Sequence, residues 1–216
     1  MKTQRKILAT LMGLVLISGC NPRAPGHGVF LLIDTSGTYT EELAKARAIV
    51  NFLLGRLGPG DSFGVARIDS GSFSEKDILV RMTFDERPSV ANDQKRQFKQ
   101  QVDDFTSRIS SSSHTDITGG MLQGVEWLNE VGPGRKTILV FSDMEEDLAA
   151  GQVRDFPIDM MGVDVIALNV TKLRSDNVDP REYLNRLQAW EARVVDGGGT
   201  WRVINDLERI EAIMDN

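Results

Sequence analysis

A continuous apolar run, residues 29–33, ends directly at an aspartate, Asp34. Such a run without polar alternation is typical of a strand that is buried on both faces of a parallel sheet. Further segments with strand-like and helix-like patterns then follow one another along the chain. Strand-like patterns cover residues 62–68, 78–84, 137–141, 163–170 and 201–204, and apolar residues recur at helical spacing over 43–57, 98–109, 117–128, 183–194 and 207–214.

This alternation of strands and helices predicts an α/β fold for residues 29–216, with three layers: a mostly parallel open sheet and helices on both of its faces. One connection departs from the pattern. The segment between the strands at 62–68 and 78–84 is short and rich in turn-forming residues. It predicts a hairpin, and therefore an antiparallel strand at the edge of the sheet.

The N-terminus has the three parts of an export signal: a basic start, an apolar run over residues 7–17, and small residues before Cys20. The apolar run is shorter than the roughly 20 residues that span a bilayer. Residues 16–20 resemble the lipobox of bacterial lipoproteins. The resemblance implies a signal peptide over 1–19, lipidation of Cys20 and a tether over 20–28. The alternative is an ordinary signal peptide with an incidental cysteine.

The lipobox resemblance places the protein in the bacterial cell envelope, with acyl chains as its one connection to the membrane. If the cell is Gram-negative, Asn21 favours the periplasmic face of the outer membrane, because an aspartate at that position is the signal for retention in the inner membrane. The chain carries 31 acidic against 25 basic residues, for a formal net charge of −6. This acidic balance argues against nucleic acid as a partner.

Polar residues follow two of the predicted buried strands. Asp34, Ser36 and Thr38 come after the first, Asp143 comes after the strand at 137–141, and Thr115 lies at the start of a helix. In open parallel sheets, ligands bind beyond the carboxyl ends of the strands. Carboxylates and hydroxyls that meet there would form a site of oxygen atoms only, which suits a small hard cation such as Mg²⁺.

These residues resemble the metal-ion-dependent adhesion site of von Willebrand factor type A domains, whose pattern is D-x-S-x-S, then a threonine, then an aspartate. Thr38 stands where the family usually has serine. The resemblance implies that Ser36, Thr38 and Thr115 ligate the metal directly, while Asp34 and Asp143 act largely through water. It further implies Mg²⁺, with Mn²⁺ or Ca²⁺ as alternatives, a partner protein that offers an acidic side chain, and no catalysis.

The main alternative is an enzyme. Residues 34–38 also resemble the D-K-T-G-T motif of P-type ATPases, and Asp143 with Asp147 matches the D-x-x-x-D of haloacid-dehalogenase-like phosphatases. Asp34 would then be a nucleophile that attacks phosphorus. Ser36 replaces the acid that this chemistry uses, and Thr115 would have no role. A structural lipoprotein that has lost its metal is a third possibility.

Several polar residues border the proposed site. Asp116 is expected to cap a helix rather than bind metal. The acidic run Glu145, Glu146 and Asp147 offers either a second cation site or a solvated loop. His114 offers either a pH-dependent contact or a solvated side chain.

Overall fold

The computed structural model describes residues 26–36, 42–108, 111–173 and 175–206, together with residue 211. The predicted signal peptide, Cys20, Thr38 and, apart from residue 211, the helix expected at 207–214 lie outside these residues. None of the helices in the described ranges combines the length and the apolar composition that a membrane crossing requires.

In the described ranges, six strands and four α-helices alternate largely as the sequence predicts. They are β1 (His27–Asp34), α1 (Leu43–Arg56), β2 (Ser62–Ile68), β3 (Ile78–Thr83), α2 (Pro88–Thr106), α3 (Ile117–Val131), β4 (Arg135–Phe141), β5 (Val163–Leu168), α4 (Pro180–Asp196) and β6 (Thr200–Ile204).

The strands form one sheet in the order β3-β2-β1-β4-β5-β6. All neighbouring pairs are parallel except β2 and β3, which pair antiparallel at the edge. The predicted fold class, a mostly parallel sheet with an antiparallel edge strand, is therefore confirmed. Because β1 and β4 are adjacent and parallel, the residues that follow them meet at one edge of the sheet.

Two apolar cores, one on each face of the sheet, explain the uninterrupted run in β1. Val29, Leu31 and Ile33 pack into the core under α1 and α2. Phe30 and Leu32 pack into the core under α3 and α4. Successive side chains of a strand point to opposite faces, so a strand covered on both sides has no solvent-facing position left for a polar residue.

The contact between α3 and the sheet depends on two glycines around Phe30. A Cβ atom at Gly64 would lie 2.6 Å from Phe30 Cδ2, and one at Gly124 would lie 2.8 Å from Phe30 Cδ1. Real Cβ atoms do not approach other atoms this closely, so these positions accommodate the ring only as glycine. The close approach holds α3 against β1 and β2, and the N-terminus of α3 then lies at the carboxyl edge of the sheet.

The start of α2 differs from the sequence prediction. The helix begins at Pro88, ten residues before Phe98, the first position of the predicted helical spacing. Proline is favoured in the first turn of a helix because its fixed φ suits the helix and its missing N–H would have no partner there. The first two turns carry mainly polar residues on the surface, so apolar spacing alone does not reveal them.

Candidate metal centre

Four segments at the carboxyl edge of the sheet line a cleft of about 310 Å³. The structure brings Ser36, Thr115 and Asp143 together in its wall, and Asp34 lies beneath it at the end of β1. Thr38, the fifth predicted site residue, lies outside the described residues. Among the described residues, the lining consists of Ser36, Ser112, Ser113, Thr115, Asp143, Glu145, Asp147 and Leu173.

Asp34 is a fully buried carboxylate, with 0% of its surface exposed. The amide of Ser36 donates a hydrogen bond of 2.8 Å to Oδ1, and the hydroxyl of Ser142 donates one of 2.7 Å to Oδ2. Burial raises the pKa of Asp34, and the two hydrogen bonds oppose that shift. Both carboxylate oxygens are thus fixed in orientation by residues that closely follow β1 and β4.

Asp143 is the second carboxylate of the site and is 6% exposed. Burial raises its pKa to about 6, the negative charge of Asp34 acts in the same direction, and a hydrogen bond from the Glu145 amide opposes the shift. Arg186 of α4 donates to the backbone carbonyl of Asp143 at 3.1 Å, while its guanidinium pairs with the buried Asp176 at 2.8 Å. The charge of Arg186 is therefore largely compensated by another carboxylate.

Backbone hydrogen bonds hold the Thr115 loop in place. The amide of Ser112 donates to the carbonyl of Thr35 at 2.8 Å. Thr115 and Asp147 exchange two amide-to-carbonyl hydrogen bonds of 2.7 and 3.0 Å. The loop is in this way joined both to the end of β1 and to the segment after β4, which places the Thr115 hydroxyl beside Ser36 and Asp143 in the cleft.

Asp116 caps α3, as the sequence predicts. Its Oδ1 accepts a hydrogen bond of 2.8 Å from the amide of Gly119. The structure adds a partner that the sequence did not reveal. Arg154 donates to both carboxylate oxygens of Asp116, from Nη2 to Oδ2 at 2.7 Å and from Nε to Oδ1 at 3.1 Å. Asp116 thus anchors the start of α3 and is not directed into the cleft wall.

The acidic residues after Asp143 have separate roles. Glu146 accepts a hydrogen bond of 2.7 Å from the amide of Thr118 and lies 3.6 Å from Arg193. Asp147 Oδ2 lies 3.1 Å from Nδ1 of His114. Within the described part of the chain, no group of three or more His, Cys, Asp or Glu side chains is arranged so that it could hold a metal ion.

The donor atoms of the cleft fit a hard divalent cation. Two buried carboxylates, Asp34 and Asp143, lie close to the hydroxyls of Ser36 and Thr115, and none of the described residues that line the cleft is basic. Two buried carboxylates without a nearby free cation destabilise one another. An oxygen-preferring ion such as Mg²⁺ would supply the missing positive charge, since it binds one or two carboxylates together with neutral oxygen ligands.

Comparisons with protein families and with curated proteins find no match. Solved structures do match. The pilus adhesin SpaC from Lactobacillus rhamnosus GG aligns over 89% of this chain and 29% of its own, with 14% identity and a TM-score of 0.55. The minor pilin PilB from Streptococcus sanguinis aligns over 89% of this chain and 61% of its own, with 11% identity and a TM-score of 0.53. The chain thus spans less than two thirds of either protein.

A von Willebrand factor type A protein from Catenulispora acidiphila also matches, at 14% identity and a TM-score of 0.49, over 88% of this chain and 41% of its own. The mostly parallel sheet with an antiparallel edge strand agrees with the fold class that the sequence predicts. The chain has the three-layer α/β fold that the resemblance to von Willebrand factor type A domains implied, and we refer to it below as VWA-like. At identities this low, the matches show a similarity of fold alone.

The charge at Asp143 makes the metal-free VWA-like domain less stable at neutral pH. The pKa of Asp143 is about 6 in the folded state, whereas the ordinary value is 3.8. The folded state therefore binds this proton more tightly than the unfolded state does, and the free energy of unfolding decreases as the pH rises through about 6. We expect Asp143→Asn, measured in EDTA at pH 8, to raise the free energy of unfolding by up to about 3 kcal/mol.

The gain from Asp143→Asn should vanish at pH 4, where the native carboxyl is already protonated in the folded state. Urea unfolding followed by circular dichroism at both pH values measures it. The matched control is Asp196→Asn, at an exposed aspartate near the end of α4. An Asp143→Asn variant that is less stable than the native chain in EDTA at pH 8 would contradict the assignment of a destabilising charge.

Proposed function

We propose that this chain binds a partner protein through a divalent cation held at the carboxyl edge of its sheet. Asp34, Ser36, Thr115 and Asp143 hold the ion, and Thr38 is the fifth member of the set. Mg²⁺ is the first candidate, with Mn²⁺ or Ca²⁺ as alternatives. The observation that carries the proposal is the buried carboxylate of Asp143 in the cleft wall together with the buried Asp34 at the end of β1, beside hydroxyl groups and with no basic side chain in the described lining.

The neutral and the charged side chains have different roles in holding the ion. The hydroxyls of Ser36 and Thr115 contribute neutral oxygens, and the two carboxylates contribute the negative charge that attracts the ion. A cation with few charged ligands in direct contact keeps enough positive charge to bind a further carboxylate. The cleft is open to the outside through Ser36, Ser113 and Glu145, so we expect that carboxylate to come from an aspartate or glutamate of the partner.

The matched structures support a role in adhesion or assembly, since they are described as a pilus adhesin and a minor pilin. Joined to the lipobox resemblance, they support a protein anchored at the cell envelope through a lipidated Cys20, with no nucleic acid partner. In a Gram-negative cell the periplasmic face of the outer membrane is the favoured location. The domain would present its metal site to a protein partner and perform no chemistry of its own.

The burial of Asp34 argues against the phosphatase alternative. A nucleophilic carboxylate has to reach a phosphorus atom, whereas Asp34 is 0% exposed and both of its oxygens accept hydrogen bonds from the protein. Ser36, two residues later, donates its amide to Asp34 and brings no carboxyl group that could protonate a leaving group.

Capture of partners from an envelope extract tests the proposal. The detergent-solubilised full chain should retain specific proteins in Mg²⁺ but not in EDTA, and Asp143→Asn should retain none. Conversion of the extract's carboxyl groups to neutral amides, with carbodiimide and glycine ethyl ester, should abolish capture. Capture that persists in EDTA would contradict a cation-mediated contact. Hydrolysis of p-nitrophenyl phosphate that requires both Mg²⁺ and Asp34 would favour the phosphatase.

A further inference from the structure

The loop that carries Thr115 has to be held accurately although it is irregular. Residues 111–116 lie outside any helix or strand, directly before α3. A side chain that binds a ligand or a metal is effective only where it is held within about 0.5 Å of the required position. Backbone hydrogen bonds attach this loop to the end of β1 and to the segment after β4. A third attachment, to the end of β2, involves a side chain.

Asp69 directly follows β2 and contacts the loop at two points. Its backbone carbonyl accepts a hydrogen bond of 3.2 Å from the amide of Asp116. Its Oδ1 accepts one of 2.5 Å from the hydroxyl of Ser112. The same hydroxyl lies 2.6 Å from the carbonyl oxygen of His114, but it has a single hydrogen, and the charged carboxylate is the stronger acceptor. Ser112 is thus held between Asp69 and the end of β1.

Asp69 is itself fixed by its neighbours. The amide of Ser70 donates to Oδ1 at 2.7 Å, and the guanidinium of Arg67 pairs with Oδ2 at 2.6 Å. Arg67 also donates to Asp77, which is 0% exposed, at 3.1 Å. Burial raises the pKa of Asp69. The hydrogen bonds from Ser112 and Ser70 and the charge of Arg67 outweigh that effect, so the pKa lies below its ordinary value and the side chain is a carboxylate at neutral pH.

Ser112 connects Asp69 to the cleft. Ser112 is part of the cleft wall, whereas Asp69 is absent from the described lining. The backbone of Ser112 forms a parallel bridge with that of Ser36, and Ser112 lies three residues before Thr115 in the same loop. A displacement of Ser112 would therefore change the positions of both hydroxyl groups that are proposed to bind the ion.

We propose that Asp69 is a positioning residue of the cation site, which acts through the Ser112 hydroxyl to fix the loop that carries Thr115. The inference rests on the proposed function, because it gives a role to a residue outside the ligand set of that same site. Three adjacent strand ends contribute an aspartate each. Asp34 and Asp143 supply negative charge to the ion, and Asp69 holds a neutral ligand in position.

Isothermal titration of Mg²⁺ into the full chain in detergent tests the role of the hydrogen bond. Ser112→Ala and Asp69→Ala should each weaken binding by about tenfold. The double variant should bind no more weakly than either single variant, because both changes remove the same bond. Asp69→Asn keeps an acceptor for Ser112 but no charge, so it should bind Mg²⁺ more tightly than Asp69→Ala does.

The matched control is Ser107→Ala, which removes a hydroxyl that donates to the carbonyl of Asp104 at the exposed end of α2. Its Mg²⁺ affinity should equal that of the native chain. Ser112→Ala removes one hydroxyl group only, so it keeps the test valid if Asp69→Ala fails to fold. Additive losses in the double variant, or an Asp69→Asn that binds as weakly as Asp69→Ala, would overturn the proposal.

Amide hydrogen exchange in EDTA, followed by mass spectrometry, tests the positioning without the ion. The amide of Thr115 donates to the carbonyl of Asp147 at 2.7 Å, and it should exchange about tenfold faster in Ser112→Ala than in the native chain. The amide of Gly60, which donates to the carbonyl of Phe84 at 2.9 Å, should exchange at the native rate in both.

The outcomes separate this inference from the proposed function. Unchanged exchange at Thr115 would overturn the role of Asp69. A Ser112→Ala variant with native Mg²⁺ affinity, in a chain whose binding is weakened by Asp34→Asn, would also overturn it while retaining the cation site. If the native chain binds no Mg²⁺, the proposed function is wrong, and the exchange rates alone then decide whether Asp69 fixes the loop.

Discussion

Replacing Arg154 with leucine is expected to lower the free energy of unfolding by about 3 kcal/mol. Asp116, its partner, is 0% exposed and would keep a buried charge without a counter-ion. Arg154 also donates to the carbonyl of Ser72 at 3.1 Å, so the variant loses a hydrogen bond between two loops as well. The expected loss is at the low end for a buried pair because the side chain of Arg154 remains 20% exposed. Urea unfolding followed by circular dichroism measures it.

The double variant Asp116→Asn/Arg154→Leu should recover much of that loss, because asparagine can still cap α3 and carries no charge. The matched control is Arg181→Leu, whose ion pair with Asp179 lies at the surface and should leave the unfolding free energy unchanged. If Arg154→Leu is as stable as the control, the pair does not hold the start of α3.

Asp34→Asn is expected to weaken Mg²⁺ binding by about 100-fold, as replacement of a residue that orients bound ligands does in other metal sites. Asparagine keeps the size of the side chain and can still accept the hydrogen bond from the Ser36 amide. It removes one of the two negative charges, and therefore much of the attraction for the ion. Isothermal titration of Mg²⁺ into the full chain in detergent measures the change.

Asp85→Asn is the matched control for Asp34→Asn. Asp85 also follows a strand, but it pairs with Arg87 at the surface and is remote from the cleft lining. Its replacement should leave Mg²⁺ affinity unchanged. Equal affinities for the native chain and Asp34→Asn would exclude the end of β1 as part of the site.

The sequence predicts the sheet well because a buried strand has a recognisable pattern of apolar residues. Residues 29–33 carry no polar side chain because β1 is covered on both faces. The antiparallel edge follows from the short link between β2 and β3, since a parallel connection needs a longer crossover. Ser36, Thr115 and Asp143 come together because parallel neighbouring strands and one helix start share an edge of the sheet.

The contacts that hold the site residues in place are harder to predict, because they join residues that are far apart in the sequence. Arg154 reaches Asp116 from a segment between β4 and β5 that has no regular periodicity, so no spacing connects the two. Ser112 belongs to a run of four serines, 110–113, that has no periodicity to indicate a contact, yet its amide donates to the carbonyl of Thr35. Ser142 lies directly before Asp143 and directly after β4. Because successive side chains of a strand point to opposite faces, the sequence did indicate that Ser142 and Asp143 point in different directions, and the Ser142 hydroxyl donates to Asp34.

The most direct test of the cation site is a titration of the full chain in detergent with Mn²⁺, followed by electron paramagnetic resonance of the free ion. We predict one tightly bound Mn²⁺ per native chain, displaced by excess Mg²⁺, and none in the double variant Asp34→Asn/Asp143→Asn. Circular dichroism should show that this variant is folded. Tight Mn²⁺ binding that survives the loss of both carboxylates, or no tight binding by the native chain, would contradict the proposed site.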